Sequence, residues 1–130
     1  MNNSGHQIGH PLAEHITLLR AAYAAFNARD IEAALALMTR DVAWPRAFKG
    51  GFVCGPEEVC AYWTEQWSEI NPKVEPVDFY SDNNGHILVK VHQVVRNMEG
   101  TVVASEHVGH RFTIVDGLIH KMEVRALPPR

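Results

Sequence analysis

Only two cysteines, Cys54 and Cys60, occur in the 130 residues. Two thiols make neither a disulfide framework nor a thiolate zinc site. No apolar run approaches the roughly 18 residues of a membrane-spanning helix. Basic residues are scarce, with 12 Lys+Arg against 15 Asp+Glu and no basic cluster, so the electrostatic footprint of a nucleic-acid binder is missing. The stretch Met1–Pro11 is polar, unlike a secretory signal, and the expected location is the cytoplasm. No G-x-S-x-G elbow is present to hold a Ser/His/Asp triad. Repeats, low-complexity tracts and linkers are absent too.

What is present is an ordinary soluble composition, 46% hydrophobic and 21% charged, with one unusual count of eight histidines. Protonating all eight would take the net charge from −3 to +5, so the surface potential reverses in mild acid. A chain this long buries roughly two thirds of its unfolded surface and needs no staple. The expected organisation is a flexible tail over 1–11 and a single domain over 12–127.

Hydrophobic spacing predicts the elements. Ile16, Leu19, Tyr23 and Phe26 form one stripe of a helix over about 12–28. Asp30 is a plausible N-cap for a second helix over about 31–39. A short strand, Val42–Trp44, stops at Pro45, and a Gly-rich loop with room for a short hairpin follows to Gly55. Pro56, Glu57 and Glu58 open a third helix, with Val59, Trp63, Trp67 and Ile70 on one side. The remainder reads as four antiparallel strands. Asn83-Asn84-Gly85 and Asp116-Gly117 serve as hairpin turns, and a further turn falls around Asn97–Gly100.

This order describes an α+β domain: a cone-shaped, curved antiparallel sheet with three helices packed on its concave face. Helix–Phe26-Asn27-Ala28-Arg29-Asp30–helix, Val42–Pro45, Gly55-Pro56-Glu57-Glu58-Val59 and Phe112–Ile119 resemble the nuclear transport factor 2-like superfamily. Its SnoaL-like and ketosteroid-isomerase-like branch, with the cystatin-like roll, is the most similar. The resemblance spans about 12–125 and implies a fold, not a reaction, because the superfamily hosts isomerases, cyclases, epoxide hydrolases and non-enzymatic domains.

Strand alternation then sorts the side chains. On the third of the four strands, Glu106, Val108, His110, Phe112 and Ile114 form the more apolar set and are expected inside. His107 and Arg111 fall on the far face. On the last strand the same rule places His120 and Met122 inside. On His86–Arg96 the more apolar set, Ile87, Val89, Val91 and Val95, would leave Lys90 and His92 on the far face, but a bulge partway along would switch the parity, so His92 has even odds of facing inward, with Gln93 as its replacement.

The expected catalytic set is His110, Tyr23 and Glu106. A desolvated neutral imidazole can donate through one nitrogen and accept through the other. By resemblance, His110 takes the position of an acidic hydrogen-bond donor to the substrate oxygen. Tyr23 would orient that oxygen, and Glu106 is an alternative acid, with its placement in water at the open end of the sheet the favoured reading. The resemblance also implies a carboxylate near the end of the first strand, where this chain has Trp44. The expected pocket residues are Trp44, Trp63, Trp67, His92, Phe112, His120 and Met122, with Phe48 as a further aromatic wall. Arg46 and Lys49 lie at the supposed mouth.

No metal and no cofactor are expected. The expected partner is a small apolar or aromatic organic ligand, with neither nucleic acid nor membrane, and a homodimer would form through the outer sheet face. The functional expectation is a cofactor-independent isomerase, cyclase or dehydratase acting on an apolar cyclic substrate. The alternatives are a non-catalytic ligand-binding or sensing domain and a dimeric protein-interaction module.

Overall fold

A computed structural model describes residues 11–46, 49–82 and 85–127. The tail expected before Pro11, Phe48 and the Asn83-Asn84 half of one turn lie outside the described residues. Helix α1 covers Ala13–Asn27, and Leu19, Ala22, Tyr23 and Ala25 are its buried residues. Arg29 adopts a positive φ of 62° and reverses the chain after it. Asp30 then caps α2 (Ile31–Leu35) by accepting the Ala33 N–H at 3.1 Å.

The second helix is shorter than its periodicity predicts, and strand β1 begins earlier, at Met38–Pro45. Ile31, Leu35 and Met38 do recur at helical spacing. Pairing with the last strand overrides that local preference: the Ile119 N–H donates to the Leu37 carbonyl at 2.9 Å, and Met38 lies opposite Ile119. The short hairpin expected in the Gly-rich segment exists, with β2 (Phe52–Cys54) antiparallel to β1. Helix α3 (Gly55–Glu69) follows directly, and the Glu58 carboxylate accepts the N–H of Cys54, the residue before the helix, at 2.8 Å.

Four long strands complete the chain: β3 (Asn71–Ser81), β4 (Ile87–Arg96), β5 (Val102–Val115) and β6 (Leu118–Arg125). Asp116 and Gly117 both take positive φ, 53° and 78°, which a tight two-residue hairpin turn requires. The sheet order is β2-β1-β6-β5-β4-β3. It is mixed rather than wholly antiparallel, because β1 runs parallel to β6.

The helices cover one face of this curved sheet, where Leu19, Trp63, Phe112 and Ile119 are fully buried. At the β3 edge, Asn27 uses its side chain as a strand would. Its Nδ2 donates to the Val74 carbonyl at 2.8 Å, and its Oδ1 accepts the Val74 N–H at 2.9 Å. Arg29 reinforces the junction by donating to Asn71 Oδ1 and the Pro72 carbonyl.

Candidate active site

A cavity of about 140 Å³ lies between the helices and the sheet. Helix α1 contributes Tyr23 and Phe26 to its wall, and β1 contributes Met38 and Trp44. Tyr62, Trp63 and Gln66 come from α3, while the sheet supplies Gln93, Glu106, Val108, His110, Phe112 and Met122. Trp44 meets Trp63 edge to face at 5.3 Å between centroids, making an aromatic corner.

His110 is the one buried polar residue among those described. Its Nδ1 is 2.8 Å from the Tyr23 hydroxyl. The two rings stack at 5.8 Å, and Phe112 presents its ring edge-on to both. Burial drives the His110 pKa down from 6.5 to about 4. Burial also pushes the Tyr23 phenol well above its ordinary value. The pair is therefore neutral throughout the physiological range.

The Tyr23 hydroxyl has no other partner among the described residues, so the arrangement that satisfies both groups has the phenol O–H donating to Nδ1. Nε2 then carries the ring proton. No described protein group bonds it, which leaves it as a donor for a ligand atom.

Glu106 also lines the cavity, but it is exposed. It stands four residues before His110 on the same strand, a separation of about 13 Å. The two do not form a proton-sharing pair. Gln93 sits opposite Glu106 in the β4–β5 register and takes the inward position that His92 does not.

Three expected pocket residues are thus corrected. His92 lies on the far face, stacked on His107 at 4.8 Å and bonded to Ser105. Val89 and Val91 have taken the inner positions around it, which leaves the even-numbered residues outside. His120 is displaced by a β-bulge: Ile119 pairs with Ile114 and Lys121 with Thr113, so His120 has no opposite residue. It bonds Thr39 at 3.1 Å and Asp41 at 3.2 Å instead. Trp67 packs behind Trp63 and Phe26, with the Arg29 guanidinium 4.9 Å from its ring, and does not reach the cavity.

Asp41, the acid nearest the expected carboxylate position, is exposed. The Thr39 hydroxyl, followed by His120, holds its carboxyl below the usual range. Thr39 and Asp41 both approach Nδ1 of His120, so they do not build a relay across the imidazole. Arg46 donates to the Gly50 carbonyl and Lys49 to Glu65, and neither lines the cavity.

Tyr62 and Gln66 were missed from the sequence. They lie on the α3 stripe beside Val59 and Trp63, one residue to the side of the stripe that the Trp67 and Ile70 spacing implied. Among the described residues no three His, Cys, Asp or Glu side chains converge as metal ligands would. No helix there is long and apolar enough to cross a membrane. Cys54 and Cys60 are free thiols.

The model of the SnoaL-like domain family matches residues 19–122. Among solved structures, TerC co-crystallized with polyporic acid has a TM-score of 0.76 and 25% identity, over 88% of this chain and 92% of that one. A Mycobacterium tuberculosis protein in complex with estradiol-17beta-hemisuccinate has a TM-score of 0.73 and 18% identity, over 85% and 92% of the two chains. A candidate polyketide cyclase from Sinorhizobium meliloti has a TM-score of 0.71 and 18% identity, over 84% and 94%. No curated protein matches the chain.

Proposed function

We propose that this chain, which belongs to the SnoaL-like domain family, binds a flat, largely apolar ring compound and polarises one of its oxygens with His110. The observation that carries this reading is the neutral His110–Tyr23 pair on an apolar wall of the cavity. A neutral imidazole N–H fixed in a dry site stabilises negative charge developing on a carbonyl oxygen, because it needs no reorganisation during the reaction. With a pKa of about 4, His110 is too weakly basic to be an efficient proton acceptor near neutrality. Its role is that of donor, and Tyr23 holds the tautomer that donates.

Isomerisation and cyclisation of ring ketones both pass through enolate-like species that such a donor favours, with the proton on the neighbouring carbon passing to water because His110 is too weakly basic to take it. The proposed activity is therefore of the cofactor-independent isomerase, cyclase or dehydratase type. Trp44, Trp63, Phe112 and Met122 shape the ring site. The similar structures that hold polyporic acid and estradiol-17beta-hemisuccinate support this ligand class.

Deuterium exchange at the carbon beside the carbonyl of a bound ring ketone tests the reading. The wild type should accelerate exchange, and His110→Ala should slow it by about 100-fold, the lower range for loss of an oxyanion donor. Full exchange activity in His110→Ala sinks the role.

A second reading, a non-catalytic ligand carrier or sensor, is favoured by Trp44, since among the described residues no buried carboxylate lines the cavity. Tight ring-ketone binding without exchange above the solvent rate would select it. The outer sheet face, with Arg111 and Lys121, is where we place contact between two copies in the cytoplasm. Light scattering on Arg111→Glu tests this, and a dimer that survives the reversal counts against that face.

A further inference from the structure

The cavity has polar groups at two ends, and they differ in kind. One end carries the neutral His110–Tyr23 pair. The other carries Glu106 and Gln93, paired across β5 and β4, with Gln66 from α3 also lining the cavity. Four strand residues separate His110 from Glu106, about 13 Å along the wall. Between them on the inner face lies only Val108.

Glu106 is the only formally charged side chain among the described residues lining the cavity, since His110 is neutral. The neighbouring cations belong elsewhere. Arg46 and Arg125 line a separate depression that shares Pro45 and Val124 with the cavity wall. Arg125 is bonded to Glu123, and Lys49 to Glu65.

We propose that Glu106 is a specificity-determining residue that selects ligands whose far end is an uncharged hydrogen-bond donor or a cation, and disfavours those ending in a carboxylate. The assignment rests on the reading of the cavity as a ring-compound site. It defines the substrate class further: a rigid two-ended molecule with an acceptor oxygen at His110 and a hydroxyl or amine at Glu106. A carboxylate accepts hydrogen bonds only, so a ligand hydroxyl at this position donates to it. A ligand carboxylate there brings two like charges together at the rim, an interaction that salt screens.

The test uses two probes that share a ring system, estradiol and estradiol-17beta-hemisuccinate. Titration of the wild type, Glu106→Gln and Glu106→Lys by tryptophan fluorescence gives the ratio of the two dissociation constants, anion over neutral. At low ionic strength that ratio should fall at least threefold in Glu106→Gln and about tenfold in Glu106→Lys, and the differences should shrink near 0.15 M salt. If both probes bind and the ratio moves less than twofold in both variants, the Glu106 assignment is overturned and the ring site stands. If the folded wild type binds neither probe, the ring-compound reading fails and the assignment falls with it.

Discussion

His107 and His110 lie three residues apart on β5 and face opposite sides of the sheet. His107 is exposed and stacks on His92 across the strand pair. His110 is buried, meets Phe112 edge to face and is bonded to one phenol. The far face is also dense in charge: Arg111 bonds Glu123 at 3.1 Å and His86 at 2.9 Å, and approaches Asp82 at 3.4 Å. Among the described residues, the inner face near His110 holds no formal charge to stabilise an imidazolium. The comparison teaches that residue type is a poor guide to chemistry here. Position within one strand's alternation decides whether a histidine is a solvated surface group or a fixed neutral donor.

The largest effect that would sharpen this contrast comes from the inner wall. Phe112→Ala should cost about 3–5 kcal/mol of unfolding free energy, because it opens a cavity beside His110 and Tyr23. Urea unfolding measures it, and a loss below about 1 kcal/mol would contradict the close packing of that wall.

The next effect is pH dependence. His110 titrates at about 4 when folded against 6.5 as its ordinary value, so the unfolded chain binds the proton first. Its contribution to stability is complete above 6.5 and is lost as pH falls towards 4, with a slope of up to about 1.4 kcal/mol per pH unit. His110→Gln should flatten that part of the profile, whereas His107→Gln should leave it in place. An unchanged slope in His110→Gln would break the comparison.

Tyr23→Phe is a smaller perturbation. It should lower stability by roughly 1–2 kcal/mol by leaving Nδ1 without its donor. It should also release the single tautomer, seen as a change in the ¹⁵N shifts of the His110 ring; an unaltered pattern would remove Tyr23 from the positioning role. Last, His92→Ala should change stability by no more than about 0.5 kcal/mol and leave ring-ligand affinity as it was. A clear loss of ligand binding would mean that the far face participates.

The sequence made legible whatever depended on local spacing. The α1 stripe that carries Tyr23 follows from a period of 3.6, the alternation that puts His110 and Phe112 together from a period of 2, and the Asp116-Gly117 turn from residues that tolerate positive φ. What escaped depended on partners distant in the chain. His120 left the interior because the β5–β6 register shifts at Thr113/Ile114, and nothing in Leu118–Arg125 announces that. Met38 became a strand residue because β6 offered its backbone. For His92 and Gln93 the open question was a bulge that would switch the parity, and the regular β4–β5 register from Ile87 to Val95, with Val89 and Val91 buried, answers it. Glu106 reads from strand alternation as an inner-face acid in water at the open end, but strand spacing alone does not say what an acid at that end would recognise.

The Asn27–Val74 bonds have a further consequence. β3 is a sheet edge, the kind of element on which another chain can add a strand. Asn27 occupies both backbone groups of Val74, while Pro72 and Pro76 have no N–H to offer. An incoming strand therefore meets an interrupted ladder. A side chain at the end of the first helix thus closes the Val74 position of this edge to strand addition.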